Sequence, residues 1–84
     1  MIFYLILCRS LTYAQRTVRA LEQADIRCNI KRTPRNLSND GCGYCVTFKN
    51  YSIDRVLRIL GEEDLPPKQV YMKQTDGSYS EVVL

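Results

Sequence analysis

The sequence predicts a single α+β domain in which two helices cover one face of an antiparallel sheet. Three observations carry that expectation: an unbroken apolar run at residues 2–8, two stretches of helical periodicity, and strand-like alternation on both sides of a turn-rich middle. A chain of 84 residues makes one domain. A domain of this size buries only about 60–65% of its unfolded surface, so an open face covered by a partner would suit it.

The run Ile2 to Cys8 has no polar alternation and ends in Arg9-Ser10, which suits a central strand buried on both faces. Ser10 or Thr12 can cap a helix over about residues 11–24. There Ala14, Val18, Leu21 and Ala24 form one stripe, and Gln15, Arg16, Arg19, Glu22 and Gln23 form the other. Ile26, Cys28 and Ile30 then alternate with Arg27, Asn29 and Lys31, predicting a half-buried strand with Cys28 as a small core hydrophobe. After the turn-rich stretch, Val46 and Phe48 alternate with Cys45 and Thr47 as a third strand.

Asn50 or Ser52 caps a second helix carrying Ile53, Val56, Leu57 and Leu60, with Gly61 as its stop signal and Glu62-Glu63-Asp64 just beyond it. Pro66-Pro67 break the chain before a fourth strand at Val70 to Lys73. Asp76-Gly77 is a hairpin signal, after which Tyr79 to Val83 either returns as a short fifth strand or frays. The order β-α-β-β-α-β is that of a ferredoxin-like sandwich, with the third strand antiparallel between the first and second. That topology gathers Cys8, Arg9, Ser10, Arg32, Arg35, Cys42 and Cys45 at one edge and sends Cys28 toward the opposite end.

Composition narrows the function classes. A net charge of +3 is too small to argue for nucleic acid, and Tyr4 and Tyr71 do not fall at RNA-recognition spacing, so they read as cover for the sheet or an interface. The opening apolar run lacks a basic flank and is too short to span a bilayer. The expectation is a cytoplasmic protein with reduced thiols and no membrane or nucleic-acid partner. With no histidine, no glycine-rich phosphate loop between strand and helix and no paired carboxylates placed to form a pocket, hydrolysis and phosphoryl transfer have no support, and no cofactor is expected.

The chemistry concentrates in residues 33–45, where turn formers surround Cys42-Gly43-Tyr44-Cys45. Gly41 and Gly43 would leave the Cys42 sulfur open, while Arg9 and Arg35 would favour its thiolate and Ser10 would act as a cap or anion contact. The plain alternative is a passive loop thiol among solvated arginines. As a C-x-x-C pair the motif enters a strand, whereas dithiol oxidoreductases place it at a helix N-terminus. For zinc it supplies two ligands and Cys8 a third at most, so no metal site is expected within one chain, while a site shared across a dimer and a reversible Cys42–Cys45 disulfide stay open.

Thr33-Pro34-Arg35-Asn36-Leu37-Ser38, followed by Cys42-Gly43 and an apolar strand, resembles the small bacterial selenium/sulfur carrier-like family. The opening strand with Ser10, Ala14 and Leu21-Glu22-Gln23-Ala24-Asp25-Ile26 shares that resemblance. It implies a carrier, more than a stand-alone enzyme, whose Cys42 holds sulfur or selenium as a persulfide or selenopersulfide between donor and acceptor proteins. The chain departs from the family pattern in Cys45, a resolving thiol or a packed strand residue, and in a variable extension at 75–84. A homodimer through the open sheet face is expected. The alternative is a protein-interaction or regulatory domain, with thiol redox switching or metal sensing as variants.

Overall fold

The computed structural model describes residues 2–37, 43–49 and 51–84. Its elements are β1 (Phe3–Cys8), α1 (Leu11–Gln23), β2 (Asn29–Arg32), a 3₁₀ turn (Arg35–Leu37), β3 (Tyr44–Lys49), α2 (Ile53–Glu62), β4 (Gln69–Lys73) and β5 (Tyr79–Glu81). The strands pair antiparallel in the order β2-β3-β1-β4-β5, the ferredoxin-like arrangement with a fifth strand added beside β4. As the apolar run requires, β1 lies at the centre, and Leu5 through Cys8 are buried on both faces.

Both helices lie on one face. Ile6, Val46 and Val70 from the sheet meet Ala14, Leu21, Val56 and Leu60 in one core, and Tyr4 stacks on Phe48 with ring centroids 5.2 Å apart. Ser10 resolves the choice of cap for α1, because its Oγ accepts from Tyr13 N at 3.1 Å. Ser52 occupies the cap position of α2 without a side-chain cap bond, and Asn50 lies outside the described residues.

The two helices end by the same device. Asp25 (φ 62°) and Asp64 (φ 59°) adopt the left-handed conformation, and the apolar residue after each returns its N–H to a leucine carbonyl five residues back. Ile26 N donates to Leu21 O at 2.9 Å, and Leu65 N donates to Leu60 O at 2.8 Å. Each apolar residue is buried with the leucine it bonds, which is the hydrophobic contact of a Schellman cap. Two expectations are corrected as a result. Ile26 belongs to the cap of α1, so β2 begins only at Asn29; and α2 runs through Gly61 to Glu62, with Asp64 supplying the positive φ expected of a glycine stop.

The other face of the sheet is less open than the sequence suggests. Leu5, Leu7 and Cys45 form a second buried cluster with Leu37 of the 3₁₀ turn, flanked by Tyr71 and Tyr79. The β4–β5 hairpin turns at Gly77 (φ 91°), where Asp76 accepts from the N–H and hydroxyl of Ser78. These hydrogen bonds hold the Asp76 carboxyl below its ordinary pKa.

Candidate thiol site

Residues 33–43 connect the edge strand β2 to β3, and a hydrogen bond from Thr33 N to Gly43 O (3.1 Å) closes the connection at its base. Pro34 presets the backbone for the 3₁₀ turn, in which Leu37 N donates to Pro34 O at 3.0 Å. Leu37 then buries itself against Leu5, Leu7 and Cys45. The turn is therefore anchored at both ends, by a backbone bond at its base and by one apolar side chain beyond it. Cys42 and Gly41, the residues on which the sequence expectation centres, lie outside the described residues, whereas Gly43 is half-buried and leads into β3.

The topology brings several expected residues to this end of the sheet. Cys8 pairs across the ladder with Tyr44, which pairs with Arg32; one step inward, Leu7 pairs with Cys45, which pairs with Lys31. Arg9 stands over the Tyr13 ring at 5.9 Å and Arg32 over the Tyr44 ring at 5.4 Å. Arg35 is exposed on the 3₁₀ turn. Ser10 sits at the start of α1, where its oxygen serves as the cap.

Cys8 and Cys45 share this end but not one environment. Cys8 faces the helices within the main core, whereas Cys45 faces the opposite side beneath Leu37. Adjacent positions along a strand project to opposite faces, so the expected gathering of both thiols at one edge separates into two sites. The Cys45 sulfur lies 3.9 Å from Arg32 O and is fully buried. Among the described residues, no three of His, Cys, Asp and Glu come together as metal ligands, and no helix is long and apolar enough to cross a membrane.

Cys28 is half-buried at the other end, beside Glu22, Asp25 and Arg27. Burial foremost, and then the nearby Glu22 carboxylate, push its thiol from 9.0 up to about 11. It is a suppressed thiol as well as a core-contacting one. Thr33 escaped the sequence reading: its Oγ1 is buried at the neck of the connection without a hydrogen-bond partner among the described residues. A threonine before a proline gives no sequence signal of that kind.

The sequence matches the family described as "Putative Se/S carrier protein-like" over residues 3–72. No curated protein and no solved structure matches the chain. The matched segment runs from the first residue of β1 into β4 and includes both helices and the whole thiol connection. The chain belongs to the Se/S carrier protein-like family.

Proposed function

We propose that the protein carries sulfur or selenium on Cys42 between a donor and an acceptor protein. The observation that carries this reading is the family match, which spans Cys42 together with the elements on either side of it. Gly43, the next residue, is held by Thr33, so the thiol connection joins a fixed point of the sheet.

In the loading step the Cys42 thiolate attacks the outer sulfur of a donor persulfide. A new sulfur–sulfur bond forms, the donor's own sulfur–sulfur bond breaks, and the donor cysteine leaves as thiolate; the same exchange with a selenium-bearing donor gives the selenopersulfide. Arg9 and Arg35 supply positive charge that favours the attacking thiolate. Ser10 keeps its hydroxyl proton for an anion, because its oxygen is the atom engaged in the cap. Cys45 is the resolving thiol once Leu37 lifts from above it, since it is otherwise fully buried: its attack on the inner Cys42 sulfur releases the cargo as hydrosulfide or hydroselenide and leaves a disulfide. A dithiol reductant of the acceptor system then reduces that disulfide, which places the cycle in the reducing cytoplasm.

The test is intact-protein mass spectrometry after incubation with a cysteine desulfurase and cysteine, or with a selenium-releasing lyase and selenocysteine. Wild type is compared with Cys42→Ser and Cys45→Ala. A reducible adduct of one chalcogen atom, absent in Cys42→Ser and persistent in Cys45→Ala, is the expected result. A loss of two hydrogens that needs both cysteines and never passes through an adduct would replace the carrier with a redox switch, and no change at all would leave an interaction domain.

A further inference from the structure

The outer face of the sheet bears a charge pattern that the thiol chemistry does not use. The β-ladders place Lys49, Phe3, Lys73 and Tyr79 side by side on four successive strands, and Lys31 stands beside Cys45, which lies four residues before Lys49 on β3. Against these three lysines the described strand residues of this face offer one carboxylate, Glu81, on the outermost strand. Between them lies a hollow of about 150 Å³ whose floor includes Leu5 and Cys45 and whose rim carries Lys31, Lys73, Phe3 and Tyr79. An apolar floor inside a cationic rim selects a ligand that is apolar in the middle and anionic on both sides.

We propose that this hollow docks an acidic segment of the donor or acceptor protein, with one apolar side chain in the hollow and flanking Asp or Glu carboxylates on Lys31 and Lys73. The identity of that protein as donor or acceptor rests on the carrier reading; the docking chemistry does not. Three observations separate this occupant from the others. Stacking of a nucleobase needs an open aromatic face, but the Lys49 ammonium stands over Phe3 at 5.4 Å and the Lys73 ammonium over Tyr79 at 5.9 Å. Base-edge readout of mixed donor and acceptor edges needs acceptors as well as donors, but the charged lining is donor-only, Lys31, Arg32 and Lys73, and Thr47 already donates its hydroxyl to Asn29 O. A second copy seated face to face would set the lysines of one chain against those of the other, a like-charge juxtaposition that disfavours association.

The hollow adjoins the thiol connection. Pro34 is part of its wall, and Leu37 covers Cys45 from the same side of the sheet. A partner anchored there lies beside Pro34 and Leu37, the described residues that lead along the chain toward Cys42, which suits transfer between two proteins.

The proposal is tested on Cys42→Ser, which cannot hold cargo, so the result does not depend on whether the carrier chemistry exists. The full-length variant is labelled with ¹⁵N and titrated with a blocked peptide Glu-Glu-Leu-Glu-Glu, with the Gln-Gln-Leu-Gln-Gln peptide, and with a uridine hexanucleotide. The acidic peptide is expected to move the amide signals of Phe3, Leu5, Lys31, Thr47 and Lys73 at millimolar concentration, more weakly as salt is raised. Lys31→Glu combined with Lys73→Glu should weaken that binding by about tenfold or more, while the spectrum elsewhere stays that of the folded chain. Equal binding of the glutamine peptide, tighter binding of the hexanucleotide to the same residues, self-association through them, or no shift at all would each overturn it.

Discussion

Cys8 and Cys45 occupy neighbouring strands one ladder step apart, yet they face opposite sides of the sheet. A disulfide needs Cβ atoms about 3.5–4.5 Å apart and directed toward each other, and a β-sheet between them forbids it. Mild oxidation with diamide followed by peptide mapping should therefore yield no Cys8–Cys45 cross-link. Finding that cross-link in the folded protein would mean that β1 and β3 are not in the register described.

Among the described residues, Leu37 is the apolar side chain that the thiol connection contributes to the outer cluster. Leu37→Ala should cost about 2–3 kcal/mol in urea unfolding, since it removes a buried side chain from a thin part of the core. It should also raise the alkylation rate of Cys45 by about tenfold or more, because the sulfur is then reached through a local opening instead of a global one. A stability loss with no change in that rate would show that Leu37 does not shield the thiol.

Cys28 gives the opposite expectation. With its thiol raised from 9.0 to about 11, it holds about a hundredfold less thiolate at neutral pH than an unshifted thiol, and iodoacetamide should modify it far more slowly than its partial exposure alone would allow. The linkage follows the same direction. Neutral Cys28 contributes stability that is fully present below the unfolded-state value and is lost as pH rises from about 9 through 11. Cys28→Ala should flatten that alkaline decline in a thermal-unfolding series.

The end of α2 places its glycine and its left-handed residue three positions apart. Gly61 is helical and a Cβ there would meet nothing within 4 Å, so Gly61→Ala should gain about 0.5–1 kcal/mol. Asp64 has φ 59°, so Asp64→Gly should gain a similar few tenths to about 1 kcal/mol. If both hold, the double variant melts several degrees higher, by roughly 4–8 °C per kcal/mol for a domain of this size. A lower melting temperature for Gly61→Ala would place the helix end before residue 61.

Much of the fold was legible because the decisive residues behave as their chemistry dictates. The apolar run from Ile2 to Cys8 made β1 central, Ser10 capped α1, and Asp76-Gly77 turned the last hairpin. The misplaced boundaries share one cause. An aspartate at the left-handed position followed by an apolar residue ends each helix, while sequence patterns favour glycine there, so Ile26 looked like strand and Gly61 looked like a stop. The cover on the outer face was hidden for another reason: Leu37 stands in a stretch of turn formers, and nothing local shows which distant residues an isolated leucine will meet. For the thiol site, the convergence of Cys8, Arg32 and Cys45 at one end followed from topology, but the separation of the two thiols by the sheet required strand parity.

The repeated helix ending reaches beyond local geometry. Leu21 to Ile26 and Leu60 to Leu65 share a leucine, three intervening residues, an aspartate and an apolar residue, and each closes a strand–helix–strand unit. The chain is thus two copies of one supersecondary plan, interleaved so that β1 of the first lies against β3 of the second. Neither copy encloses a core alone, since Ile6 and Leu21 come from one while Val46, Val56 and Leu60 come from the other. The thiol connection is the stretch of backbone that joins them. A chain divided there would yield two fragments that need each other to enclose the core, with the candidate thiol stretch lying on the seam.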